Sequence, residues 1–119
     1  MKNLFLVFIG ILFISNLYAQ SFVNPISFVD SELNKQKVIS FIKKQVKDDC
    51  VTIGMDDPST LRMMEQENLN AFKELIKITN TSLLKDVIKD CCDIGMCNYS
   101  TILMMYKEQD KASKKSLEW

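Results

Sequence analysis

The side chains of this chain that are best suited to chemistry are its sulfur-bearing ones. Cysteine occurs at positions 50, 91, 92 and 97, and histidine is absent. Redox catalysis favours a Cys-X-X-Cys spacing or an activated thiolate, whereas four residues separate Cys92 from Cys97. Zinc requires well-spaced thiolates or imidazoles, which the adjacent pair Cys91 and Cys92 does not provide. The cysteines are therefore interpreted as structural disulfides, as is usual in a short exported chain.

Four cysteines allow three pairings. Cys50 and Cys91 each continue an apolar helical stripe and occupy equivalent positions of a repeat, so we expect a Cys50–Cys91 bond. Cys92 and Cys97 would then close the small loop around Gly95. The alternative arrangement pairs Cys91 with Cys97 and Cys50 with Cys92. A Cys91–Cys92 bond is the least favoured, because bonding two adjacent cysteines strains the disulfide geometry.

The cysteines lie within an internal repeat whose offset is 41 residues. Between Lys44 and Glu67, 12 of 24 positions carry the same residue as the position 41 further along. We interpret this as a duplication that produced two helix-turn-helix units, at about 31–79 and 80–115. Two copies are too few for a solenoid. Two related hairpins would pack most simply as a bundle with approximate twofold symmetry.

The methionines follow the same repeat. The six beyond Met1 form three equivalent pairs, namely Met55 with Met96, Met63 with Met104, and Met64 with Met105. Methionine fills irregular gaps between packed helices, and this is the favoured interpretation. A second interpretation is an adaptable apolar binding surface made of Met63, Met64, Met104 and Met105. A third is a Cu(I) site in a periplasm, since thioethers select this soft ion.

Apolar residues recur at spacings of three and four, which predicts amphipathic helices, and no segment alternates with the period of two expected of a strand. Residues 20–29 are predicted to form an extended lead-in. The first helix should run from Ser31 to about Cys50. The pair Asp57-Pro58 favours a second helix start, and that helix should continue to about Thr79.

Two further helices are predicted in the second half of the chain. Asn80 and Asn98 are suitable N-cap residues, and the last helix should fade near Lys115. Gly54 and Gly95 supply the flexible backbone for the turn inside each unit. The predicted fold class is therefore all-α, with four helices in a disulfide-stabilised bundle.

The beginning of the chain resembles a targeting segment. Residues 1–19 combine Lys2, an apolar block from Leu4 to Ile14, and Ala19 at a cleavage position, which is the pattern of a signal peptide. Residues 20–119 would then form a single helical domain. Export places this domain in an oxidising compartment, either the extracellular space or a bacterial periplasm. No later segment approaches the roughly 20 apolar residues of a transmembrane helix.

Charge and composition narrow the function. The 15 basic and 15 acidic residues balance, which argues against nucleic-acid binding, because that depends on phosphate neutralisation. The lack of histidine removes the commonest general base, and Asp48-Asp49 and Asp56-Asp57 are attributed to helix ends and caps. We therefore predict no enzyme and no cofactor. The favoured function is non-catalytic binding to another macromolecule, as a signal, effector or inhibitor; the alternative is a carrier of a small apolar ligand or lipid between the two hairpins.

Overall fold

The computed structural model of this protein describes residues 21–119, and the predicted signal peptide at residues 1–19 lies outside them. The described elements are a short 3-10 turn, Pro25–Ser27, and the helices α1 (Glu32–Thr52), α2 (Pro58–Leu75), α3 (Thr81–Asp93) and α4 (Tyr99–Ser113). Residues 21–119 contain four α-helices and no strand, so the predicted all-α class is confirmed. None of these helices is both long enough and apolar enough to span a bilayer.

Each helix begins at a polar capping residue, and three of these, Asp57, Asn80 and Asn98, are predicted by the sequence. The side chain of the cap accepts a hydrogen bond from the backbone N–H three residues further on, and the four caps are Ser31, Asp57, Asn80 and Asn98. The Asp57 carboxylate also accepts from the Thr60 hydroxyl at 2.7 Å. The hydrogen bonds from Thr60 lower the pKa of Asp57, because they stabilise its charged form.

The end of α2 differs from the prediction. This helix stops at Leu75, before the expected Thr79. The N–H groups of Lys77 and Ile78 bond to carbonyls three residues back, those of Glu74 and Leu75. Such bonds between residues three apart satisfy the last carbonyls of a helix and end it. The prediction was too long because the helical spacing of apolar residues continues beyond Leu75, where the α-helical hydrogen bonds stop.

The helices pack in the spatial order α1, α2, α4, α3. Helix α2 contacts both α1 and α4, and α3 contacts α4. Helices α2 and α4 run parallel, because their contacts advance together: Ser100 hydrogen-bonds to Glu67, and Lys107 pairs with Glu74 at 3.2 Å. The two hairpins therefore meet through their second helices.

This packing rules out the predicted twofold symmetry. In the repeat, Ser59 is equivalent to Ser100 and Glu67 to Glu108, so a twofold relation would pair Ser59 with Glu108 as Ser100 pairs with Glu67. Ser59 lies eight residues before Glu67 on α2, whereas Glu108 lies eight residues after Ser100 on α4. Because the two helices run parallel, Ser59 and Glu108 are about 24 Å apart along the helix axes. The expectation of a twofold arrangement is wrong, and the second hairpin is instead shifted lengthwise against the first.

An aromatic cluster fills the centre, where the hairpins meet. Its members are in contact with ring centroids 4.8–5.5 Å apart, and they are Phe22, Phe28, Phe41, Phe72 and Tyr99. Tyr99 is fully buried, and its hydroxyl donates to the Val23 carbonyl at 2.8 Å and accepts from the Val23 N–H at 3.2 Å. The lead-in, which contributes Phe22 and Phe28, is thus part of the core.

Candidate functional site

The repeated Cys-x-x-Ile-Gly-Met segment ends a helix. In the first copy the Met55 N–H donates to the Cys50 carbonyl at 2.8 Å, and the Gly54 N–H donates to the Val51 carbonyl at 3.1 Å. These two bonds define the Schellman motif, which terminates α-helices. Gly54 has a φ of 72°, a left-handed conformation that glycine adopts without steric cost.

The second copy has the same geometry at the end of α3. The Met96 N–H donates to the Cys91 carbonyl at 2.9 Å, the Gly95 N–H donates to the Cys92 carbonyl at 3.1 Å, and Gly95 has a φ of 79°. The cysteine, glycine and methionine shared by both copies therefore stand at the positions that a helix stop uses. The most similar part of the repeat has a structural explanation.

The cysteines pair differently from the prediction. Cys92 and Cys97 form a disulfide across the second turn, as expected. Cys50 and Cys91 are free and buried, so the predicted Cys50–Cys91 bond is wrong. Within residues 21–119, no Cα atom of α1 lies within 8 Å of a Cα atom of α3. A disulfide requires Cα atoms about 4.4–6.8 Å apart, and the same separation excludes the alternative Cys50–Cys92 bond.

The free thiol of Cys91 is not activated. Burial raises its pKa, and the neighbouring Asp90 carboxylate adds to the effect. Redox and metal chemistry require the thiolate, which a raised pKa disfavours. Residues 21–119 also contain no group of three or more histidine, cysteine, aspartate or glutamate side chains placed to hold a metal ion.

The aspartate pairs have different environments. Asp57 caps α2, where a negative charge is stabilised by the helix dipole. Asp48 and Asp49 lie near the carboxyl end of α1, where the dipole disfavours negative charge. Lys44 pairs with Asp48 at 2.9 Å and offsets part of this effect. Asp57 is thus a cap, as predicted, and Asp48 and Asp49 lie at a helix end, as predicted, although the helix dipole does not stabilise their charge.

The four methionines of the predicted surface do not share one face. Met63 and Met104 are 63% and 58% exposed, whereas Met105 is 37% exposed. Met64 is half-buried against the core. Consecutive residues point about 100° apart around a helix, so Met63 and Met64 cannot both face solvent to the same extent. Met63 and Met104 are the two members of this set that are most available to a partner.

Met104 lines a groove between α2 and α4, which we call the α2–α4 groove. Its volume is about 440 Å³. It is lined by Glu67, Asn70, Ala71, Glu74, Ser100, Leu103, Met104 and Lys107. Met63 lies one turn beyond Glu67 on the same face of α2. The groove thus has an exposed methionine at one end, another in its wall, and a rim that carries both charge signs.

A second concave surface lies between α1 and α2, and we call it the α1–α2 groove. Its volume is about 320 Å³, and its lining is mostly aromatic and aliphatic.

No known protein family matches this chain, and no significant similarity to curated proteins or to solved structures was found. The two grooves are therefore judged by their geometry and chemistry.

We expect loss of the disulfide to destabilise the fold by about 2 kcal/mol, since the bond closes a short loop. The variant is Cys92→Ser with Cys97→Ser, and the measurement is the free energy of unfolding in urea. Reducing agent should lower the stability of the unmodified protein and leave that of the double variant unchanged. Peptide mapping of the non-reduced protein should find Cys92 linked to Cys97, and a linked Cys50 would contradict this pairing.

Proposed function

We propose that this chain is an exported, non-catalytic binding protein that recognises a helix of a partner protein through the α2–α4 groove. The observation that carries the proposal is the 58% exposure of Met104 in the wall of that groove, together with the 63% exposure of Met63 one helical turn from the lining residue Glu67. Large apolar side chains exposed next to a concave surface are typical of interaction sites. Methionine is flexible and polarisable, which allows it to adapt to the surface of a partner.

The groove has a suitable shape for a helix. Two parallel helices leave a channel in which a third helix can pack at 8–10 Å from each, and this is a common mode of peptide recognition. Ala71 and Leu103 provide an apolar floor between the helices. An amphipathic partner helix would place its apolar side chains there and against Met104.

The charged rim of the groove favours one orientation of the partner. Glu67 and Glu74 lie on the α2 side, and Lys107 lies on the α4 side. Glu74 and Lys107 pair with each other at 3.2 Å, so the charge that remains for a partner is that of Glu67, and a partner helix with a basic residue toward Glu67 would complement it. Such charge complementarity contributes specificity and association rate more than affinity.

We further propose that the two hairpins are duplicated helix-turn-helix units. The support is the pair of Schellman motifs built from the same residue types, together with C-cap residues Ile53 and Ile94 that both have a φ of −100°. A duplication followed by a lengthwise shift accounts for a groove formed by the second helix of each unit.

The proposal is tested by site-specific crosslinking. A photoreactive amino acid at Met104 should capture a partner from the fluid or compartment in which the protein resides, whereas the same group at Lys85 on α3 should not. The captured protein is then purified, and its affinity is measured by calorimetry. Met63→Ser combined with Met104→Ser should weaken binding about tenfold or more.

The matched control is Met55→Ser. Met55 lies in the turn between α1 and α2, away from the groove, and is 52% exposed. This variant should bind as the unmodified protein does. An equal loss for Met55→Ser, or no loss for the double variant, would overturn the assignment of the groove as the binding site.

A further inference from the structure

A small-ligand site was predicted between the two hairpins, and the centre of that region, around Tyr99, is filled. The aromatic cluster around Tyr99 fills it, and Tyr99 itself is 0% exposed. The α1–α2 groove lies elsewhere, within the first hairpin, on a different surface from the α2–α4 groove. Its apolar lining consists of Phe28, Val38, Ile39, Leu69, Phe72 and Ile76.

The floor and walls of the α1–α2 groove have different exposure. Val38 and Phe72 are 2% and 3% exposed and form the floor, while Ile76 is 40% exposed and stands at the edge. Phe28 packs edge-on against Phe72 with centroids 5.0 Å apart. Phe28 lines this end of the groove, which favours an occupant narrower than a helix, whose diameter is about 10 Å.

The charges around the groove leave one cation without a partner. Asp30 and Lys35 both line the groove, and Lys35 pairs with Asp30 at 3.3 Å and with Glu32 at 3.7 Å, so this cluster has no free positive charge. Lys73 also lines the groove and takes part in none of the ion pairs of residues 21–119. An anionic group on the occupant would complement Lys73.

The groove continues along the hairpin. Ile39 and Leu69 also line an adjoining concavity of about 310 Å³ that extends to Arg62. From Ile76 to Arg62, helix α2 rises about 21 Å. The adjoining concavity is lined mainly by charged and polar residues, whereas the α1–α2 groove is mostly apolar and has Lys73 in its lining. The apolar part beside Lys73 therefore suits an alkyl chain with an anionic head.

We propose that the α1–α2 groove binds a single-chain amphiphile with an anionic head, of the fatty-acid class. The alkyl chain lies on Val38 and Phe72 and runs between Ile39 and Leu69, and the carboxylate is held by Lys73. This site is independent of the proposed protein-binding groove.

The test is calorimetric titration of the purified protein with dodecanoate and with dodecanol, both below the concentrations at which they aggregate. Dodecanoate should bind at one saturable site. Lys73→Gln should weaken dodecanoate about threefold, as expected for an exposed ion pair, and leave dodecanol unchanged. Lys85→Gln, which removes an exposed lysine from α3, should change neither.

A pair of variants at the groove edge tests the sign of the charge. Ile76→Glu and Ile76→Lys make similar structural changes at a residue that is 40% exposed, so both should fold, as judged by far-UV circular dichroism. Dodecanoate should bind about tenfold more weakly to Ile76→Glu than to Ile76→Lys. Methyl signals of Ile39 and Leu69 should shift on titration in NMR spectra.

The proposal would be overturned if dodecanoate showed no saturable binding, or if the protein bound only aggregates of dodecanoate. It would also be overturned if dodecanoate and dodecanol bound with equal affinity, or if Lys73→Gln and Lys85→Gln changed the affinity equally. The variant with Met63→Ser and Met104→Ser should bind dodecanoate normally. The outcome of this test is therefore separate from that of the protein-partner experiment.

Discussion

Replacing Tyr99 with alanine is expected to remove about 4 kcal/mol of folding free energy, as is usual for a fully buried aromatic residue. Tyr99 is 0% exposed, and its ring contacts Phe22, Phe41 and Phe72. The truncation would leave a cavity where the lead-in and helices α1, α2 and α4 meet. Domains of this size are stable by roughly 5–15 kcal/mol, so urea unfolding should show a large fall in the midpoint.

The milder variant Tyr99→Phe isolates the hydroxyl. It keeps the ring but leaves the carbonyl and the N–H of Val23 without their partner. Because Val23 is only half-buried, the loss should be about 1 kcal/mol, the lower end of the cost of unsatisfied buried polar groups. Tyr106→Phe is the matched control, because no hydrogen bond of the Tyr106 hydroxyl is found within residues 21–119, and its effect should stay within about 0.5 kcal/mol. Equal effects of the two variants would contradict the role of the Tyr99 hydroxyl.

The same residue makes stability depend on alkaline pH. Burial raises the pKa of Tyr99 well above its ordinary value of 10.0. Above pH 10 the unfolded chain therefore releases this proton while the folded chain retains it, so stability falls as the pH rises. The stability difference between the unmodified protein and Tyr99→Phe should narrow by about 1.4 kcal/mol per pH unit above pH 10. A constant difference would show that Tyr99 does not titrate as its burial requires.

Replacing both Phe22 and Phe28 with alanine should destabilise the fold by about 4 kcal/mol, even though neither residue belongs to an α-helix. Phe22 contacts Phe41 and Tyr99, and Phe28 contacts Phe72. Both phenylalanines are half-buried, so we expect each to contribute about 2 kcal/mol, less than a fully buried ring. Thermal unfolding and near-UV circular dichroism would measure the loss of stability and of aromatic packing.

The control for this prediction lies in the same segment. Ile26 and Val29 are 36% and 66% exposed, so Ile26→Ala with Val29→Ala removes apolar side chains of the lead-in without opening the core. This variant should lose less than about 1 kcal/mol. If both double variants were equally stable, the lead-in would not form part of the core.

The positions of the helices follow from local chemistry. Ser31, Asp57, Asn80 and Asn98 begin helices because their side chains bond to backbone groups only three residues away. Gly54 and Gly95 end helices because the left-handed turn favours glycine at that one position. Such interactions involve near neighbours in the chain, so their signals can be found in the sequence.

The candidate binding surfaces could be predicted only in part. The methionine repeat indicated Met63 and Met104, which are exposed, but it equally indicated Met64, which packs against the core. Neighbouring positions on one helix face different surroundings, and which of them meets solvent depends on where the other helices pack. The α1–α2 groove had no sequence signal, because it combines residues of two helices with Phe28 of the lead-in.

The sequence by itself determined that this protein is all-α and where its four helices begin, and it favoured a Cys92–Cys97 bond over Cys91–Cys97, because each of these depends on residues close together in the chain. Only the tertiary structure decided that α2 and α4 pack in parallel with a lengthwise shift. That shift leaves Cys50 and Cys91 too far apart to bond. It also decided that Phe22 and Phe28 of the lead-in pack against Phe41, Phe72 and Tyr99 of the helices. These outcomes depend on the packing of surfaces distant in sequence, for which the repeat carried no information.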